Sequence, residues 1–86
     1  MFNWAGPQGT TFWRYAGRDY PGITITETEG DFWVVEDGAH PLGRHESLKS
    51  ALREARQENQ SRYAGMAVIW IAKRGILGGY EISRTR

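Results

Sequence analysis

Four side chains able to handle metals or protons stand close together in the chain: Asp37, His40, His45 and Glu46. Imidazole and carboxylate hold a zinc-like ion when three of them converge at about 2.0–2.2 Å. A metal-dependent hydrolase at His40, His45 and Glu46 is therefore one reading. The spacing fits no zinc motif, and Pro41 and Gly43 interrupt the chain between the histidines. The alternative is two loop histidines on a wet surface, and no metal or cofactor is expected.

Nucleophilic catalysis requires Ser, Thr, Cys or Lys activated by a neighbouring base. The chain has no cysteine and no G-x-S-x-G elbow. Ser47 precedes a helical pattern and suits a helix cap, while Lys49 and Lys73 suit surface or strand-end charges. The carboxylates Glu27, Glu29, Asp31 and Glu36 fall in or beside turns. Gly75, Gly78 and Gly79 lie between strands, with no following helix to complete a phosphate loop. No catalytic residue is assigned, and the chain is not expected to be an enzyme.

The polar signal is one of charge. Net charge is +1, which alone argues against a dedicated nucleic-acid binder, but its distribution is uneven. Residues 1–43 set Arg14 and Arg18 against Asp19, Glu27, Glu29, Asp31, Glu36 and Asp37. The second half is basic, and of the 11 basic residues only Lys49 and Lys73 are lysine. Arg44, Lys49, Arg53, Arg56 and Arg62 on or near a helix, with Arg84 and Arg86 at the tail, form a candidate phosphate-binding patch. The competing reading pairs them with the acidic turns of the first half. Exposed Trp or Tyr beside arginine also marks protein interfaces and base-stacking platforms, which adds Trp13 and Tyr15 to the candidate binding residues.

These side chains need elements to carry them. Residues 1–9 read as an irregular arm, and Thr10–Tyr15 as a strand. Pro21-Gly22 sits at the centre of a type II turn. Ile23–Thr26 alternates as a strand with one solvated face, and Glu29-Gly30 leads into the apolar run Phe32–Val35. Asp37-Gly38 signals another tight turn, and Ala39–His45, holding Pro41, can only be a short edge strand. Leu48, Ala51, Leu52, Ala55, Asn59 and Tyr63 recur at helical spacing behind Ser47, with Gly65 as a stop. Lys49, Arg53, Arg56 and Gln60 line one flank of that stripe; Ser50, Glu54 and Glu58 line the other. Met66–Lys73 reads as a central strand and Tyr80–Arg84 as the last.

The order β-β-β-(β)-α-β-β with short connections implies an α+β fold, a small antiparallel sheet with one amphipathic helix packed on one face. At 86 residues the chain is a single domain. Its apolar content is largely aromatic, with four Trp, four Tyr and three Phe. Trp33 and Trp70 are expected in the core; Trp4, Trp13, Tyr15 and Tyr20 exceed what one small core holds. The longest apolar run, Met66–Ala72, is far short of the ~20 residues a bilayer requires. The N-terminus has no secretory pattern. With cysteine absent, a cytoplasmic protein and no membrane association are expected.

From Tyr20 to Ala55 the pattern Tyr20-x-Gly22-Ile23, Trp33-Val34, Leu42-Gly43-x-His45-x-Ser47, Ala51 and Ala55 resembles the three-strand-plus-helix modules of the AP2 and phage-integrase-arm type. That resemblance covers under half the chain and implies a sheet that lies on DNA. Where those modules carry arginine and tryptophan along the strands, this chain has Thr24, Thr26, Glu27, Glu29 and Asp31, so it implies shared fold more than shared function. The chain also resembles small proteins of actinobacteria and their phages.

Together these features predict a non-enzymatic binding or accessory protein, phage- or mobile-element-encoded, that acts on a protein partner. The alternative is a nucleic-acid-binding module using the basic flank and C-terminal tail. A homodimer is expected as well. It would set acidic turns of one subunit against Arg53, Arg56 and Arg62 of the other, with a free edge at Thr10–Tyr15 or Tyr80–Arg84.

Overall fold

Ala16 and Gly17 both hold positive φ, 52° and 81°, the backbone of a two-residue type I′ turn. They join β1 (Trp13–Tyr15) to β2 (Arg18–Tyr20) as a hairpin. Alanine seldom adopts this conformation, so the sequence carries no signal for the turn. The computed structural model describes residues 13–36 and 40–85. The arm at 1–9, the Thr10–Phe12 part of the first expected strand, the Asp37-Gly38 turn and Arg86 lie outside the described residues.

After Pro21, Gly22 holds φ 101° and releases the chain into the main sheet. Its strands are β3 (Ile23–Thr28), β4 (Asp31–Glu36), β5 (His40–His45), β6 (Ile69–Arg74) and β7 (Tyr80–Thr85), in the order β5-β4-β3-β6-β7. Glu29 and Gly30, at φ 53° and 88°, close the β3–β4 hairpin as expected. β5 holds Pro41 and takes an edge, and β7 takes the other. Between β5 and β6 runs the single helix, α1 (Leu48–Tyr63). The Ser47 hydroxyl accepts from the Ser50 amide at 3.2 Å. At the far end the left-handed turn begins at Ala64, one residue before the expected Gly65, and the Gly65 amide donates to the Asn59 carbonyl at 3.0 Å.

The sheet is mixed rather than antiparallel throughout. α1 carries the chain back across the sheet, so β6 joins β3 in parallel, with Ile23 opposite Ile69 and Ile25 opposite Ile71. A parallel neighbour needs such a crossover, and a 16-residue helix supplies it. The α+β class and the helix on one face are as expected.

Ala51 and Ala55 let the helix approach closely, and they cover Ile23, Ile25, Val34 and Ile69, all essentially inaccessible to solvent. Burial of each such aliphatic side chain contributes about 1.5–3 kcal/mol. The opposite face is not free. Over its β6–β7 part lies the β1–β2 hairpin, where Tyr20 is buried with Ala72 among Tyr15, Trp70, Tyr80 and Ile82. The Tyr20–Trp70 and Tyr15–Tyr80 rings meet edge-on at 5.0 and 5.4 Å.

Three expectations change here. Tyr20, counted as surplus, is buried, whereas Trp33 and Trp70 are only half-buried. Thr24 and Thr26, expected on a solvated face, are fully buried. Register explains the threonines: Thr24 stands between Val35 and Trp70, and Thr26 between Trp33 and Ala72. Both faces of β3 are therefore covered at the centre of the sheet. Among the described residues no helix is long and apolar enough to cross a membrane.

Candidate functional site

The buried stripe Ala51–Ala55–Asn59 divides α1 into two flanks with opposite fates. One faces β5 and β4. There Glu54 Oε1 lies 2.6 Å from His45 Nε2, and Ser50 Oγ lies 3.0 Å from His45 Nδ1. A carboxylate can only accept, so Nε2 carries the proton to Glu54, and in the neutral ring Nδ1 accepts from the Ser50 hydroxyl. This carboxylate–imidazole–hydroxyl order is that of an activated serine, but Ser50 Oγ also lies 3.3 Å from Ser47 Oγ and 3.4 Å from the Ser47 carbonyl, inside the capping turn. Its evident work is to fasten the edge strand to the helix.

Further along the same flank, Arg62 donates to Glu58 at 2.6 Å and to Glu36 at 3.0 Å, and the Tyr63 hydroxyl donates to the other Glu36 oxygen at 2.6 Å. The hydrogen bond that Arg62 donates to Glu58 and then the charge of Glu36 raise its pKa above the ordinary value. Arg44 donates to Asp31 at 3.1 Å. Four carboxylates (Asp31, Glu36, Glu54 and Glu58) are thus occupied within the chain. A dimer resting on Asp31 or Glu36 against Arg62 would first have to break these pairs.

The other flank carries Lys49, Arg53 and Arg56, all exposed, with no ion pair among the described residues. It turns toward β6 and β7. α1 packs chiefly over β3, β4 and β5, so the helix-side surface of β7 stays open, with Glu81 and Ser83 exposed and Thr85 half-buried. At the C-terminal end of α1 this shelf deepens into a shallow cavity of about 270 Å³ bordered by Asn59, Met66, Val68, Arg84 and Thr85. Asn59 is held there by both ends of its amide, Nδ2 donating to the Ala67 carbonyl and Oδ1 accepting from the Ala67 amide, each at 3.0 Å.

The opposite end of the shelf leads to the β6–β7 hairpin. Lys73 and Arg74 close β6, the Gly75 amide donates to the Gly79 carbonyl at 2.6 Å, and Ile76 and Leu77 stand at the tip, 99% and 98% exposed. Arg74 lies over the Tyr80 ring, 5.8 Å from its centre.

Of the residues assigned from sequence, the structure brings together Lys49, Arg53 and Arg56. Arg62 belongs to the paired flank instead, because Glu58 and Glu36 reach it first. Arg84 stands opposite Trp70, on the sheet face away from the helix, and borders the cavity from the β7 edge. Tyr15 is half-buried, and its hydroxyl accepts from the Tyr80 amide at 2.9 Å, which gives it a packing role. The Trp13 side chain and Arg86 lie outside the described residues.

His45 takes Glu54 and Ser50 rather than Glu46 and His40, and among the described residues no three His, Asp or Glu groups stand close enough to hold a metal ion. The sequence reading missed Glu54 and Ser50, although their four-residue spacing on one helix flank marks them as neighbours. It also passed over Ile76-Leu77, whose signal is two branched apolar residues set between glycines. Comparison with known protein families, curated proteins and solved structures finds no match.

Proposed function

We propose that this protein is a non-enzymatic binding module that takes nucleic acid along the open flank of α1. The observation that carries the reading is the row Lys49, Arg53 and Arg56, exposed and without an ion pair among the described residues. Internal pairs occupy Arg44 and Arg62 with Asp31, Glu36 and Glu58 on the other flank, so three cations against the exposed Glu81 of β7 leave a net positive charge on the open side of the helix. From Lys49 to Arg56 the row rises about 10 Å along the helix axis, enough to follow two or three successive phosphates.

Three cations that each neutralise one phosphate give a slope of about −3 in log K against log salt. Fluorescence anisotropy of labelled single- and double-stranded DNA and RNA, titrated at low and at near-physiological salt, measures this directly. The Arg53→Glu/Arg56→Glu variant is expected to lose at least about tenfold in affinity while its circular dichroism spectrum is unchanged, since both side chains are exposed. A flat titration at low salt on all four substrates removes the reading. The same row would then be assigned to an acidic protein surface, the partner class that charge and aromatic content first suggested.

A further inference from the structure

We infer that the Ile76–Leu77 tip of the β6–β7 hairpin is an apolar wedge that enters a groove of the bound nucleic acid and unstacks a base step. The inference rests on the reading of the α1 flank given above and adds a second contact to it.

Two branched apolar side chains at 99% and 98% exposure are costly to keep in water, and here the fold holds them out rather than letting them tuck in. The turn is closed by the Gly75 amide on the Gly79 carbonyl and the Gly78 amide on the Gly75 carbonyl, at 2.6 and 3.2 Å. Its root is pinned on both strands. The Arg74 amide donates to Glu27 at 2.8 Å, and the Tyr80 amide donates to the Tyr15 hydroxyl at 2.9 Å. Gly78 holds φ 92° with open space around it. A braced hairpin whose tip carries Ile and Leu between glycines has the form of a probe, with no bulky neighbour to obstruct it.

Position and charge choose the occupant. β6 runs parallel to β3, so its Arg74 end lies beyond Thr26, where β3 approaches the β3–β4 turn. α1 begins at that same end, just after His45, which is opposite Phe32, itself opposite Glu27. The cationic row Arg56–Arg53–Lys49 therefore points toward the hairpin. Lys73 and Arg74 alternate to opposite faces of β6 at the base of the tip. Lys73 stands opposite Glu81 of β7, whereas Arg74 lies over the Tyr80 ring, so the positive charge beside the tip comes from Arg74 and from the α1 row. A phosphate-walled groove matches two apolar side chains set beside such charge, and Ile and Leu are among the side chains that wedge between base steps and kink a duplex.

The test uses the full chain and duplexes with 2-aminopurine at a central pyrimidine–purine step. Wild-type protein is expected to bind with a salt-dependent affinity and to raise the 2-aminopurine fluorescence. Ile76→Ser/Leu77→Ser, or either single substitution should the double variant lose its circular dichroism spectrum, is expected to abolish the fluorescence rise while the salt slope stays. Arg53→Glu/Arg56→Glu is expected to lose both signals. Salt-dependent binding without a fluorescence rise in the wild type overturns the wedge and leaves the nucleic-acid reading intact. Absence of binding overturns both. Tip-dependent sedimentation with anionic phosphatidylserine vesicles, in a protein that leaves duplex stacking untouched, also overturns the wedge and reassigns the tip to a lipid surface.

Discussion

The carboxylate of Glu54 occupies the space that a side chain on Gly43 would fill. Gly43 lies on the edge strand with no left-handed backbone requirement, so its role is to leave room for Glu54 to reach His45. An alanine at position 43 must push Glu54 aside, and because Glu54 is long and flexible the backbone need not move. Gly43→Ala should therefore remove the benefit of the His45–Glu54 pair without unfolding the protein. Glu54→Gln alone should cost about 0.5–1.5 kcal/mol, and in the Gly43→Ala background it should cost nearly nothing. A double-mutant cycle by urea denaturation checks this, and simple additivity of the two changes would show that Gly43 and Glu54 act independently.

Much of the scaffold was legible because local chemistry and global fold agree there. Ser47 stands ahead of the helical spacing as a cap should, and Gly30, which tolerates positive φ, announces the β3–β4 turn. At Pro21-Gly22 the chain makes a bend instead of the expected type II turn, because the Ile23 amide donates to the Val68 carbonyl. What escaped were features set by partners distant in sequence. The Ala16-Gly17 turn has an alanine where the rule asks for Asn, Asp or Gly. The parallel β3–β6 pair depends on where α1 returns the chain, and a strand pattern does not record that. The site was half legible for the same reason. Spacing divided the helix into two charged flanks, but contacts decide that Arg62 is paired, by Glu58 one turn back and by Glu36 on a strand 26 residues away, while Arg53 and Arg56 have no ion pair among the described residues.

Asn59 is the polar member of the buried stripe and binds Ala67 at both ends of its amide. Asn59→Leu leaves the Ala67 amide and carbonyl without those partners and should destabilise by about 1–3 kcal/mol. Asn59→Asp retains an acceptor for the amide but directs a second oxygen at the Ala67 carbonyl. That repulsion makes the aspartate variant at least as unstable as the leucine variant at neutral pH. Protonation restores a donor, so the aspartate variant should regain stability as pH falls through about 4, whereas the leucine variant should not. Thermal melts at two pH values separate them.

Arg62 shows the opposite behaviour toward pH. Its folded-state pKa is raised, first by the hydrogen bond it donates to Glu58 and then by Glu36. A raised folded value for a cation means stabilisation that is fully present below the unfolded pKa and is lost only as pH climbs through the folded one. Both lie above the range in which the protein would be handled. The stability difference between wild type and Arg62→Gln should thus stay constant from about pH 7 to pH 10. It should shrink with added salt, because Arg62 is exposed and its partners are screened. A difference that varies across the alkaline range would point to another titrating group in the cluster.

Thr26 poses the sharpest test of the two-sided burial of β3. Its hydroxyl, like those of Thr24 and Thr28, is buried with no hydrogen-bond partner among the described residues. Thr26 itself is fully buried between Trp33 and Ala72. A polar atom taken from water without a new partner is a net cost, and valine has nearly the same shape without that atom. Thr26→Val should therefore stabilise the protein by about 1 kcal/mol. Thr26→Ser keeps the hydroxyl and deletes a buried methyl, so it should destabilise by about 1 kcal/mol. The two changes at one position are expected to have opposite signs in urea denaturation, with unchanged slopes. If valine proves destabilising, the hydroxyl makes a hydrogen bond in solution, and the face of β3 away from α1 would have to be hydrated or otherwise paired.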